Sequence, residues 1–144
     1  MTNSRFTALK WFRVTVAFAF ITTLPFALTA LITPRILEGF LDVGVSNTPH
    51  WIQNVGILLV IISVMYIPVY RDPFRYIFVT YLAVAGRFAA GTLFLLGYLY
   101  MDYPDGMRLL AANDMILSSI QAVVLYFTLR AGDPRSGQLS TRQI

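Results

Sequence analysis

The chain has 144 residues, 57% hydrophobic and 12% charged, with a formal net charge of +4 and a mean hydropathy of +0.66. Soluble domains are about 25% charged and a small globule has too much surface to hide so many apolar side chains, so disorder and an ordinary water-soluble domain are both excluded. The absence of cysteine and the single histidine exclude disulfides, thiolate metal sites, iron–sulfur clusters, thiol catalysis and bis-histidine haem within the chain.

A bilayer core of roughly 30 Å takes about 20 apolar residues as helix. The first span is expected over residues 12–33, of which 14–33 carry no charge. Its basic flank resembles the start of a signal peptide, but the apolar core exceeds the roughly 7–15 residues of one and no A-x-A site follows, which predicts a retained helix. Pro25 lies in mid-span with Thr22 and Thr23 a turn before it. A kink is expected there, with the freed carbonyl satisfied by the threonines or by neighbours. Residues 34–42 are amphipathic, with Ile36, Leu37, Phe40 and Leu41 on one arc and Arg35, Glu38 and Asp42 opposite. They predict a two-turn helix lying in the membrane interface.

The second span is expected over 51–70. The third covers 76–101 and is interrupted only by Arg87, and the fourth covers 108–130, of which 109–129 are interrupted only by Asp114. A short polar tail, 131–144, follows. The fold class is therefore all-α, a single four-transmembrane-helix bundle with a short interfacial helix between helices 1 and 2. Thr33-Pro34, Thr48-Pro49 and Asp72-Pro73 each set a capping side chain before a proline suited to the first helical position. Asp105, in the turn Tyr103-Pro104-Asp105-Gly106, is placed to cap the fourth span. A third helix starting at Pro73 would be about 43 Å long at 1.5 Å per residue, and would have to tilt or project from the bilayer.

Basic residues divide unevenly between the two sides. One side collects Arg5, Lys10, Arg13, Arg71, Arg75, Arg130, Arg135 and Arg142; the other holds Arg35 and Arg108 with Glu38, Asp42, Asp102 and Asp105. The positive-inside rule then predicts both termini in the cytoplasm, in a multi-pass protein of a bacterial inner membrane. Basic residues scattered over membrane flanks do not make a nucleic-acid surface. Trp51, Tyr98, Tyr100 and Tyr103 fit an outer aromatic belt, and Trp11, Tyr66, Tyr70, Tyr76 and Tyr126 an inner one.

Arg87 and Asp114 are the charges that need an explanation, because each costs roughly 2.5–3.5 kcal/mol near the bilayer centre. Asp114, Ser118 and Gln121 form one polar stripe on the fourth span, roughly continued by Thr128. On the third span Thr80, Ala83, Arg87, Ala90, Gly91 and Tyr98 share a face. The pairs Ala85/Ala89 and Gly86/Ala90 are small-xxx-small spacings that permit close helix packing, and the short turn makes these two spans an antiparallel hairpin. Counting inward from Met101 and Met107 sets Arg87 level with Gln121. Arg87 is then expected to bond Gln121 and Ser118, reaching Asp114 only by stretching or through water. Such a network either fixes helix register, or lines a polar cavity for a proton, quinone headgroup or small ligand, or docks a partner helix.

Other candidates are separate from it. His50 beside Trp51, with Glu38 or Asp42, is a weak metal or pigment site against the simpler reading of a solvated or capping histidine, and no metal spacing is present. Gln53 and Asn54 face outward as cavity-lining or interfacial residues. Arg71 and Arg75 suit anionic lipid headgroups, or a cytosolic partner. No catalytic constellation and no cofactor of its own is expected.

The run Pro49-His50-Trp51, Gly56, Tyr66-Ile67-Pro68-Val69-Tyr70-Arg71-Asp72-Pro73-Phe74-Arg75, Gly86-Arg87 and Asp114 resembles small bacterial four-helix membrane proteins of the DoxX-like kind. The resemblance implies a non-catalytic accessory subunit or helper of a membrane-associated oxidoreductase, with cofactors carried by its partners. A small homo-oligomeric transporter, or a quinone- or lipid-binding protein using Arg87, Asp114 and Gln121, is the alternative.

Overall fold

The computed structural model describes residues 2–44 and 50–132, with side chains from residue 6 onward. Five helices follow in order: α1 (Thr2–Ile32), α2 (Pro34–Leu41), α3 (His50–Arg71), α4 (Ile77–Tyr100) and α5 (Asp105–Ala131). Four of these, all but α2, are long and apolar enough to cross a membrane, and there is no strand among the described residues. The fold is an all-α four-helix bundle. The predicted Thr48-Pro49 cap and residues 133–144 of the tail lie outside the described residues.

The spanning helices form a ring in which α1 packs on α3 and α5, and α4 packs on α5 and α3. α1 and α4 therefore face each other only across the centre. Close approach depends on particular glycines. A Cβ at Gly56 would lie 3.0 Å from the Ala30 Cβ and 3.1 Å from the Ala27 carbonyl, so α1 and α3 meet there almost backbone to backbone. Gly91 does the same for α4 and α5, where a Cβ would lie 3.0 Å from the Met115 nitrogen and 3.2 Å from the Ala111 carbonyl. Without water in the bilayer core, van der Waals contact of this kind is what holds helices together.

Two apolar clusters sit at the two ends of the bundle. One joins Phe12, Val16, Ala19, Tyr66, Val69 and Leu125 at the end carrying Lys10, Arg13, Arg71, Arg75 and Arg130. The other joins Ala30, Leu37, Leu41 and Ile52 at the opposite end. Between them each spanning helix contributes polar side chains: Thr23, Ser63, Arg87, and the Asp114–Gln121 stripe. Of the small-residue pairs on α4, Ala85, Gly86 and Ala89 are exposed and Ala90 is half-buried, and the backbone-to-backbone contact with α5 is made at Gly91.

The short helix α2 is where the sequence expectation changes most. Leu37, Glu38 and Leu41 are buried, whereas Ile36 and Phe40 are 65% and 63% exposed. The helix does not float with Ile36, Leu37, Phe40 and Leu41 all turned to lipid and Glu38 to water. It closes one end of the bundle, with the Leu41 backbone lying directly against Gly106 of α5, and turns Ile36 and Phe40 outward. Glu38 is carried inside, where its Oε2 accepts a 2.9 Å bond from Arg35 and its Oε1 has no partner.

The caps also differ. Thr33 precedes Pro34, but its hydroxyl turns back to the Thr29 carbonyl at 3.3 Å and does not cap α2. Asp105 is the first residue of α5, not its cap, and its carboxylate sits in the first turn, where the helix dipole favours it. Asp72 accepts the Arg75 amide at 3.1 Å and closes a turn over residues 73–76, so α4 starts at Ile77 and not at Pro73. With 24 residues, α4 is about 36 Å long, closer to bilayer thickness than the longer helix anticipated. α1 continues through Pro25, and neither threonine caps the carbonyl freed there. Thr22 donates to Phe18 and Ala19, and Thr23 is engaged with Arg87.

Candidate functional site: a polar node joining four helices

Arg87 lies on the inward face of α4 and crosses the centre of the bundle. Its Nε meets Asp114 Oδ1 of α5 at 3.1 Å. Its Nη2 donates to Thr23 Oγ1 of α1 at 2.5 Å. Its guanidinium carbon stands 5.9 Å from the centroid of the Tyr66 ring of α3, within cation–π range. One side chain thus touches each of the other three spanning helices. Arg87 is 8% exposed and Asp114 19%, so the pair is shielded from most competing water.

The direct pair corrects the register read from the sequence. Gly91 sits between Ala111 and Met115, which sets residue 113 level with it and residue 117 level with Arg87. The count from Met101 and Met107 is thus out by about one helical turn, roughly 5.4 Å. The turn explains the offset: Tyr103 folds back on Gly97, its amide donating to the Gly97 carbonyl at 3.3 Å, and α5 already begins at Asp105. Asp114 is consequently near enough for direct contact, and Gln121 is too deep.

Gln121 and Ser118 therefore do not bond Arg87. Gln121 donates from Nε2 to the Thr15 carbonyl of α1 at 3.2 Å. Ser118 donates to the Asp114 carbonyl of its own helix at 2.6 Å, with the Met115 carbonyl 3.2 Å away. Thr128 reaches the Ala8 carbonyl of α1 at 3.2 Å. The stripe on α5 is thus divided: Asp114 faces α4, whereas Gln121 and Thr128 stitch α5 to α1. Asn113 adds a 3.3 Å contact to Asp114 Oδ1.

Sequence pattern does not reveal Thr23 and Tyr66 as members of the node. Thr23 has a signal only as a polar residue a turn before Pro25. Tyr66 reads as one of the inner belt aromatics, yet it is 2% exposed and packs beneath Arg87. The remaining candidates lie apart. His50 opens α3 and is exposed, Gln53 is half-buried and Asn54 exposed. Among the described residues no group of acids and histidine is arranged to hold a metal ion, and the buried Glu38 is paired with the exposed Arg35. Arg71 and Arg75 are exposed at the basic end, with the Arg75 guanidinium 5.7 Å from the Tyr76 ring.

Two open grooves run along the outside. One, of about 440 Å³ between α4 and α5, is lined by Ala85, Ala89, Ala122 and Ser118 with Tyr81 and Phe88 at its sides. The other, of about 380 Å³, lies between α1 and α3. No known protein family matches the chain, and neither does any curated protein or solved structure.

Proposed function

We propose that this small membrane protein is a non-catalytic subunit or helper of a larger membrane complex. The observation that carries this reading is where the polar side chains of the spans go. Arg87, Asp114, Thr23, Gln121 and Thr128 bond from helix to helix. A node of this kind holds four helices in one register and leaves little free acid–base chemistry. The α4–α5 groove is open along the outside, and its small residues suit the close approach of another membrane helix. The resemblance to bacterial DoxX-like proteins supports a partner of the oxidoreductase class in a bacterial inner membrane. The basic flanks support cytoplasmic termini.

Gentle extraction from native membranes followed by native mass spectrometry tests the proposal. The expected result is a stoichiometric complex with a larger, cofactor-bearing subunit, from which Ala89→Leu releases a still-folded protein. A monomer, or a homo-oligomer alone, would overturn it. Cysteine labelling tests the orientation on a chain with no native cysteine. Thr7→Cys is expected to react from the cytoplasmic side and Tyr103→Cys from the other.

One observation favours a second reading. Arg87 Nη1 is buried and has no hydrogen-bond partner, so a small acceptor such as a quinone carbonyl would complete its donor set. A ubiquinone analogue that stabilises the purified protein, but not Arg87→Lys, would favour this reading over the first.

A further inference from the structure

We propose that the α1–α3 groove is a specific site for an anionic phospholipid in the leaflet at the basic end. Val16, Ala17, Phe20 and Ile67 line the groove, Tyr66 closes its inner part, and Arg71 stands at its mouth. Tyr66 is the same residue that packs under Arg87, so one wall of the groove is a side chain of the polar node.

Its two ends differ chemically, as the two ends of a phospholipid do. The walls along the span are aliphatic and aromatic. The mouth is cationic: the Arg13 Nη2 donates to the Arg71 carbonyl at 2.8 Å, and the Arg13 guanidinium lies 6.0 Å from the Tyr70 ring centroid. That bond caps the carbonyl end of α3 and anchors the Arg13 guanidinium on the backbone of the residue that stands at the groove mouth. Arg13 Nε is buried without a partner. An arginine presents N–H donors in a planar fork matched to phosphate oxygens, so two arginines held together here offer donors at headgroup depth. Asp72 is the nearby acid, and one of its carboxylate oxygens already accepts the Arg75 amide. Charge complementarity thus commits the groove to an anionic lipid, with one acyl chain lying in the channel and the phosphate at Arg13 and Arg71.

Native mass spectrometry of the protein in mild detergent, titrated with phosphatidylglycerol or phosphatidylcholine, tests this. Phosphatidylglycerol is expected to bind the more tightly. Arg13→Gln and Arg71→Gln should each weaken it about fivefold, the contribution of one basic residue near an anionic headgroup. Arg130→Gln removes the same charge from the end of α5, across the ring from α3, and is expected to change binding less than twofold. Ala17→Phe keeps every charge and fills the channel, so it should weaken the anionic lipid as well. Equal affinity for the two lipids would overturn the proposal, as would an Arg130→Gln effect equal to that of Arg71→Gln. Unchanged binding in Ala17→Phe, with folding verified by gel filtration, would reduce the site to surface charge and also overturn it.

Discussion

Removal of Arg87 is the most demanding test of the polar node. In Arg87→Leu, Asp114 keeps only its contact with Asn113, and Thr23 and Tyr66 lose their cation. Breaking a buried pair by deleting one member costs about 3–5 kcal/mol. Asp114 is 19% exposed, which relieves part of the stranded charge, so about 3 kcal/mol is expected. Asp114→Leu should cost a similar amount by stranding the guanidinium. The double variant Arg87→Leu/Asp114→Leu removes both charges and should be less destabilised than the sum of the singles by about 2 kcal/mol or more. Gln121→Leu deletes a separate bond to the Thr15 carbonyl, and interhelical hydrogen bonds in membranes average about 0.6 kcal/mol. Its effect should add to that of Arg87→Leu within about 0.5 kcal/mol. Reversible unfolding in mixed micelles, followed by far-ultraviolet circular dichroism, measures all of these. The reasoning fails if Arg87 and Asp114 act additively, or if Arg87 couples to Gln121 as strongly as to Asp114.

Three further outcomes follow from the packing, each read by the same unfolding assay. Gly86 is exposed on α4, and a methyl group added there would meet nothing within 4 Å, so Gly86→Ala should stabilise by about 0.5–1 kcal/mol through helix propensity. Gly91→Ala, on the same helix, meets the Met115 backbone nitrogen at 3.0 Å and should destabilise by about 1–3 kcal/mol; equal signs at the two positions would count against the described α4–α5 contact. Glu38 is 1% exposed with one oxygen unpartnered, so Glu38→Gln should leave stability unchanged or raise it, whereas Arg35→Gln, which strands the carboxylate, should lower it by about 1–3 kcal/mol. The reverse order would mean that the glutamate is not held as the structure describes.

The node and the two grooves show how far local pattern reaches in a membrane protein. Charge-free runs of about 20 residues are a local property, and the bilayer imposes their length, so the four spans were legible from the sequence alone. The collection of Arg13, Arg71, Arg75 and Arg130 at one end was legible too, whereas the start of α1, which runs back to Thr2 through the basic flank, was not. Arg87 and Asp114 stood out because charge is rare and costly there.

Which side chains meet was not legible. Lipid is as apolar as a protein core, so the pattern on α2 does not tell a face turned to the bilayer from one turned to the bundle. The structure turns Leu37, Glu38 and Leu41 inward because the Leu41 backbone fits against Gly106. Nor does a count of residues find the register of two helices joined by a turn. Tyr103 folding onto Gly97 and the seating of Gly91 against Ala111 and Met115 move α5 by about a turn, and that exchanges Gln121 for Asp114 as the partner of Arg87. The sequence by itself determined the solvent, the number of spans and the residues that had to be explained. The tertiary structure alone decided that Arg87 reaches across the ring to Thr23, Tyr66 and Asp114, because helix contacts in lipid follow shape and hydrogen bonding instead of the alternation of polar and apolar residues.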